Sequence, residues 1–314
     1  MTRTFLIAMT SAAALFASSA FAQERSQGTA SAPDLSGIWG NPYLYGIEPP
    51  LSGPGPVVNK VRRRQGVDID GRPLPAANAP LTSDARRLVG DYSNPILKPA
   101  AAEVVKQHGD LALTGTGFPS PRNQCWPQGV PFIFTNFATQ LLQQPDQITI
   151  LYDEDHEVRH VRMNQPHPAQ VAPSWYGDSV GHYEGDTLVI DTVGFKVGPF
   201  SAVDQYGTPL TPALHVVERY RMVDYDEAQA AVARNLKENA RVPDTASDRN
   251  YRGKRLQVVF TVEDEGVFTM PWSGVITYER PGMAWEENVC AENPFDFFAG
   301  KNDAFVPTAD KADF

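Results

Sequence analysis

The chain of 314 residues is predicted to be an all-β protein whose antiparallel sheet curls into a barrel. Two observations predict this. Its 27 prolines and 24 glycines interrupt the chain too often for long helices, and the stretches between them are short runs rich in Val, Ile, Tyr and Phe. From Phe132 to Glu279 such runs follow one another at turn-separated spacing, which suits an up-and-down sheet.

Residues 1–22 read as a secretory signal. Arg3 gives the positive start, Phe5 to Phe16 the apolar centre, and Ala20-Phe21-Ala22 a small-x-small cleavage site. A periplasmic or secreted protein is expected, with no later membrane span. Residues 23–33 are a polar leader, and 34–314 form one domain. Its first part, 41–124, is loop-rich, with Gly53-Pro-Gly-Pro56 and the run Arg62-Arg63-Arg64. Short helices are expected at Thr82–Val89 and Pro99–His108, the second with proline in its first turn.

Strands are expected at Asp34–Trp39, Phe132–Leu142, Gln147–Tyr152, Glu157–Met163, Ala213–Val223, Leu256–Glu263 and Gly274–Glu279. Between the fourth and fifth of these lies Pro173–Phe195, a hairpin turning at Glu184-Gly185-Asp186, where glycine accommodates a positive φ. Its second strand puts Leu188, Ile190 and Thr192 on one face and Thr187, Val189 and Asp191 on the other. A helix over Asp226–Val242, within an insertion spanning 225–252, interrupts the strands. Ala228, Val232 and Leu236 recur there near helical spacing.

The formal net charge is −10, and loss of Arg3 makes the mature chain more negative. That argues against nucleic acid or an anionic membrane as partner and leaves a small molecule. The only cysteines are Cys125 and Cys290. In an oxidising compartment they are most simply a disulfide closing about 165 residues. No H-E-x-x-H, EF-hand, phosphate loop or G-x-S-x-G is present, so neither a metal nor another cofactor is expected.

The chemistry that remains is acid–base work. In His215–Met222 the alternation places Val216, Glu218, Tyr220 and Met222 on one face and His215, Val217, Arg219 and Arg221 on the other. With the first face inside, Glu218 is a buried carboxylate that needs a cation or a raised pKa, and an arginine on an adjacent strand would satisfy it. With the second face inside, His215, Arg219 and Arg221 form a cationic wall. Arg159 and Arg162 lie on opposite faces of their strand. Asp178 and Asp191 stand in apolar or small surroundings and need partners, for which Arg159 is a candidate. His167 lies between two prolines on a stiff loop.

Several stretches carry a resemblance. Cys125-Trp-Pro-Gln-Gly-Val-Pro131, His167-Pro168, Gly177-Asp-Ser-Val-Gly181, Glu184–Phe195, Leu214-His-Val-Val-Glu-Arg219, Glu287–Asn293 and Val306–Phe314 together resemble a family of exported bacterial proteins. Gly37-Ile-Trp39 resembles the first strand of lipocalin-type barrels. The resemblance implies a signal peptide and a calycin- or lipocalin-like barrel, and it brings no reaction with it. The chain departs from the pattern at Met163-Asn-Gln-Pro166 and in its helical insertion.

The expected function is a cofactor-independent lyase or isomerase that moves protons on a small, apolar or aromatic anionic molecule. His167, Asp178, His215 and Glu218 would be its acids and bases. Arg159 and Arg219 would hold the negative charge, with Tyr176, Asp191 and Arg221 lining the site. The alternative is a non-enzymatic carrier of an apolar ligand. Strand face discriminates the two: the catalytic idea fails if His215, Arg219, His167 and Asp178 lie on the outside of the sheet, and a uniformly apolar interior would favour the carrier.

Overall fold

Nine strands pair in sequential order into one barrel-shaped sheet. They are β1 (Gly37–Trp39), β2 (Thr139–Gln143), β3 (Gln147–Tyr152), β4 (Val158–Met163), β5 (Asp178–Glu184), β6 (Thr187–Val193), β7 (His215–Val223), β8 (Arg255–Glu263) and β9 (Trp272–Tyr278). Helix α1 (Pro99–Leu113) precedes β2, and α2 (Tyr225–Glu238) connects β7 to β8. The computed structural model describes residues 32–40, 46–61, 88–114, 117–135, 138–154, 157–238, 250–280, 285 and 289–290. The expected signal segment, the arginine run, most of the Thr82–Val89 helix and the end of the helical insertion lie outside the described residues. Among those described, no helix is long and apolar enough to cross a membrane.

Alternation decides the inside. Leu188, Ile190 and Thr192 of β6 and Val216, Glu218 and Tyr220 of β7 are all at most 2% exposed, whereas Asp191 and His215 face outward. The apolar filling includes Trp39, Phe134, Phe260 and Trp272. The Trp39 indole donates to Leu35 O at 2.9 Å, and the Arg280 guanidinium lies 3.9 Å from its ring centroid. A two-bond bridge between Gly40 and Glu279 nearly closes β1 onto β9. Gly185 takes φ +63 in the β5–β6 turn, as its place there demands.

Three expectations need correction. Phe132–Leu142 is not one strand: Phe132–Thr135 is a 3-10 turn with all four residues buried, and β2 starts only at Thr139. A short run that is apolar on every side gives the same sequence signal for either structure. Helix α1 continues past His108 to Leu113. The sheet is also not wholly antiparallel, because β4 and β5 pair in parallel, Val161 opposite Ser179. Parallel neighbours cannot be joined by a tight turn, so Asn164–Gly177 must cross over from one end of the strands to the other. That segment carries His167.

Cys125 and Cys290 are joined, with Cα atoms 5.3 Å apart across 165 residues of sequence. Peptide mapping without reductant is expected to recover the linked pair. Reduction should lower the unfolding free energy by up to about 4–5 kcal/mol. Free thiols at both positions in protein purified without reductant would contradict this.

Candidate active site

The inner and outer faces of β4–β7 each carry a band of polar side chains running across the strands. The inner band starts at Arg159 of β4, which is 3% exposed. Its Nε–H donates to Ser179 Oγ of β5 at 2.9 Å, and Nη2 donates to Thr192 Oγ1 of β6 at 2.5 Å. Nη1 and Nη2 reach the two oxygens of Glu218 on β7 at 3.0 and 2.5 Å. Tyr220 adds an O–H bond to Glu218 Oε2 at 2.7 Å. Small side chains at 179 and 192 let the guanidinium stretch beneath two strands to a third. The fork satisfies the carboxylate in two places, as a buried pair requires. Burial opposes the charge on Arg159, and Glu218 together with the nearby Tyr152 and Tyr220 outweighs it, holding its pKa well above the usual value. Burial likewise pushes the Tyr220 and Tyr278 phenols up, so both stay protonated.

The outer band uses the neighbouring residues. Arg162 of β4 grips Asp178 of β5 with two parallel bonds of 2.7 and 2.9 Å. His167, brought in by the crossover, sets Nδ1 2.6 Å from Asp178 Oδ1 and Nε2 3.2 Å from Asp191 Oδ1. His215 Nε2 approaches the same Asp191 oxygen at 3.0 Å, and its Nδ1 lies 3.7 Å from Glu263 Oε2 on β8. Nitrogen-bearing side chains and carboxylates therefore alternate along Arg162, Asp178, His167, Asp191, His215 and Glu263. The side chains of His167, Asp191 and His215 are 23%, 39% and 33% exposed, open to water and to a ligand.

The network sets the protonation states. The bonds from Arg162, assisted by His167, hold the Asp178 carboxyl below the ordinary range. Bonds from His215 and then His167 do the same for Asp191. Its bond to Asp191 raises His215 above the usual imidazole value. The signs fix a pH window. The aspartates contribute stability above their unfolded pKa near ~4 and lose it as pH falls through the lower folded values. His215 contributes fully below about 6.5 and loses that contribution as pH rises through its raised folded value. The band is thus fully formed between about pH 4 and 6.5.

The residues predicted from sequence divide between the faces. His167, Asp178, Asp191 and His215 come together outside the sheet, while Arg159 and Glu218 are sealed inside in their own pair. A combined site within the barrel is not formed. The catalytic assignment made from sequence fails on its own condition, because His167, Asp178, His215 and Arg219 all lie on the outside of the sheet. Glu218 is 0% exposed and lies on the opposite face of the sheet from the histidines. Arg159 meets Glu218 instead of Asp178 or Asp191. Further along the outer face, Arg219 pairs with Glu184 at 2.5 Å, and Arg221 pairs with Glu227 and with Gln257. Neither arginine joins the histidine cluster. Tyr176 sits half-buried in the turn before β5. Sequence reasoning missed Arg162 and Glu263. Strand parity puts both on the outer face, but the register that brings them to Asp178 and His215 is long-range.

Among the described residues, no group of three His, Cys, Asp or Glu is arranged to hold a metal ion. Compared with protein families, curated proteins and solved structures, the chain matches none.

Glu218→Gln or Arg159→Met alone leaves a buried charge unpaired and should cost about 3–5 kcal/mol in urea unfolding. Replacing both by apolar residues should cost less than the sum of the two. Additive losses below about 1 kcal/mol would show that the pair carries no such weight.

Proposed function

We propose that the protein is a lyase or isomerase that moves protons on a small anionic molecule with an apolar or aromatic body, and that the outer band is its acid–base site. The observation that carries this is the single oxygen Asp191 Oδ1 facing Nε2 of both His167 and His215. A carboxylate shared by two imidazoles favours one protonated ring beside a second that exchanges its proton, so an acid and a base stand side by side. His215, with its raised pKa, is the acid. His167 is the base. With Nδ1–H donated to Asp178, its Nε2 takes up the proton, and the resulting imidazolium is stabilised by Asp191. Arg162 fixes Asp178 and through it the ring of His167.

The location outside the sheet suits this role because the crossover segment brings His167 onto that face. The interior offers little comparable support for the carrier reading. Phe260 packs there tilted against Phe134 and edge-on to Trp272, with centroids 4.9 and 6.0 Å apart, and Phe268 lies 5.7 Å from Trp272. An oxidising compartment, the periplasm or the exterior of the cell, fits both the disulfide and the signal-like first 22 residues. Membership of the exported family that the motifs resemble belongs to the same reading.

The mature protein should be screened against aromatic and aliphatic carboxylates in deuterated water, following turnover and solvent-proton exchange. His215→Gln and Asp191→Asn should each lower kcat by about 10²–10⁴. The rate should fall on the alkaline side as His215 loses its proton, at a pH above about 6.5. Unchanged turnover in both variants would remove the assignment, and saturable binding without exchange would favour the carrier.

A further inference from the structure

Next to the acid–base band, the same hairpin builds an aromatic surface that the band does not use. Ser174, in the turn preceding β5, bridges in parallel to Phe195 just after β6, with Lys196 N–H bonded to Ser174 O at 2.7 Å. This brings Trp175 and Lys196 together, the ammonium 4.5 Å from the Trp175 ring centroid. Trp126, next to the disulfide-bonded Cys125, packs edge-on to Trp175 and to Phe200 at centroid distances of 5.1 and 5.4 Å. Gly198 lies against the two indoles. A Cβ there would stand 2.7 Å from Trp126 Cζ2 and 3.0 Å from Trp175 Cη2, so the cluster closes only because no side chain intervenes.

Two groups in this cluster lack the partner their chemistry calls for. Lys196 is exposed, and among the described residues no carboxylate lies within ion-pair distance of it. It stands apart in a chain of net charge −10. The Trp126 indole N–H is buried and has no acceptor among the described residues, an uncommon state for such a donor. A planar aromatic ring suits the indoles, and carboxylate oxygens suit the exposed ammonium. Trp175 is three residues from Asp178, so their Cα atoms are at most about 11 Å apart. A single ring with a short side chain can span from the indoles to the histidines.

We propose that Trp126, Trp175, Phe200 and Lys196 form the substrate platform of the neighbouring acid–base site, and that its ligand is a planar aromatic carboxylate. The proposal rests on the acid–base reading for its place in a reaction, but its binding can be measured without turnover. The mature protein is titrated with naphthoate, naphthamide and cyclohexanecarboxylate, following tryptophan fluorescence and heat. Naphthoate should bind saturably, and the neutral amide and the non-aromatic acid should bind roughly tenfold or more weakly. Lys196→Met and Trp175→Leu should each weaken naphthoate by roughly tenfold. Gly198→Ala should weaken it as well, with the far-ultraviolet spectrum unchanged. No saturable binding, or equal affinity in Lys196→Met and Trp175→Leu, overturns the platform. Binding that shows this pattern without any proton exchange supports the platform and removes only the acid–base reading.

Discussion

The reach of Arg159 beneath β5 and β6 to Glu218 on β7 is the constraint on which the rest of the site depends. Two fully buried charges are tolerable only if each finds its partner in good geometry and the remaining donors are filled. Ser179, Thr192 and Tyr220 fill them. Each of those contacts fixes one strand relative to the next. Because side chains alternate, fixing Ser179 and Thr192 inside also fixes Asp178 and Asp191 outside. The inner band is thus a clamp on the strands that present the outer acids.

A polar band on the outside of a barrel would ordinarily be a set of weak, solvated ion pairs. Here the parallel pairing of β4 and β5 changes that. It forces a crossover, the crossover brings His167 onto the band, and both aspartates become ligands of one ring. The outer pairs farther along, Arg219 with Glu184 and Arg221 with Glu227, lie outside that cluster and fit the ordinary description. The functional reading therefore hangs on topology as much as on residue type. The aromatic cluster follows from the same local event, since the turn that ends the crossover also carries Trp175.

Much of this was legible in the sequence, and the reason is parity. A period of two is visible in β6 and β7, and it assigned Glu218 to one face and Asp191 and His215 to their own strands' opposite faces without any structure. The cost of burying a lone carboxylate correctly indicated that Glu218, Asp178 and Asp191 each had a partner. Which partner was not legible. Arg159 and Arg162 differ only in face, and choosing between them requires knowing which side of β4 turns inward. The parallel register of β4 and β5 is a long-range outcome with no local signal, so the expected barrel was wholly antiparallel and the histidines were expected inside it. The Phe132–Thr135 turn was misread because an all-buried run has no period to read.

The central claim is that His167 and His215 compete for one oxygen of Asp191, and proton NMR titration of the His215 ring tests it most directly. In the wild type His215 should titrate above the free imidazole value of about 6.5. Asp191→Asn should bring its midpoint down. His167→Ala should move it further up, because Asp191 then serves His215 alone. A midpoint that stays fixed in both variants would show that the oxygen is not shared, and the acid–base pair would fall with it.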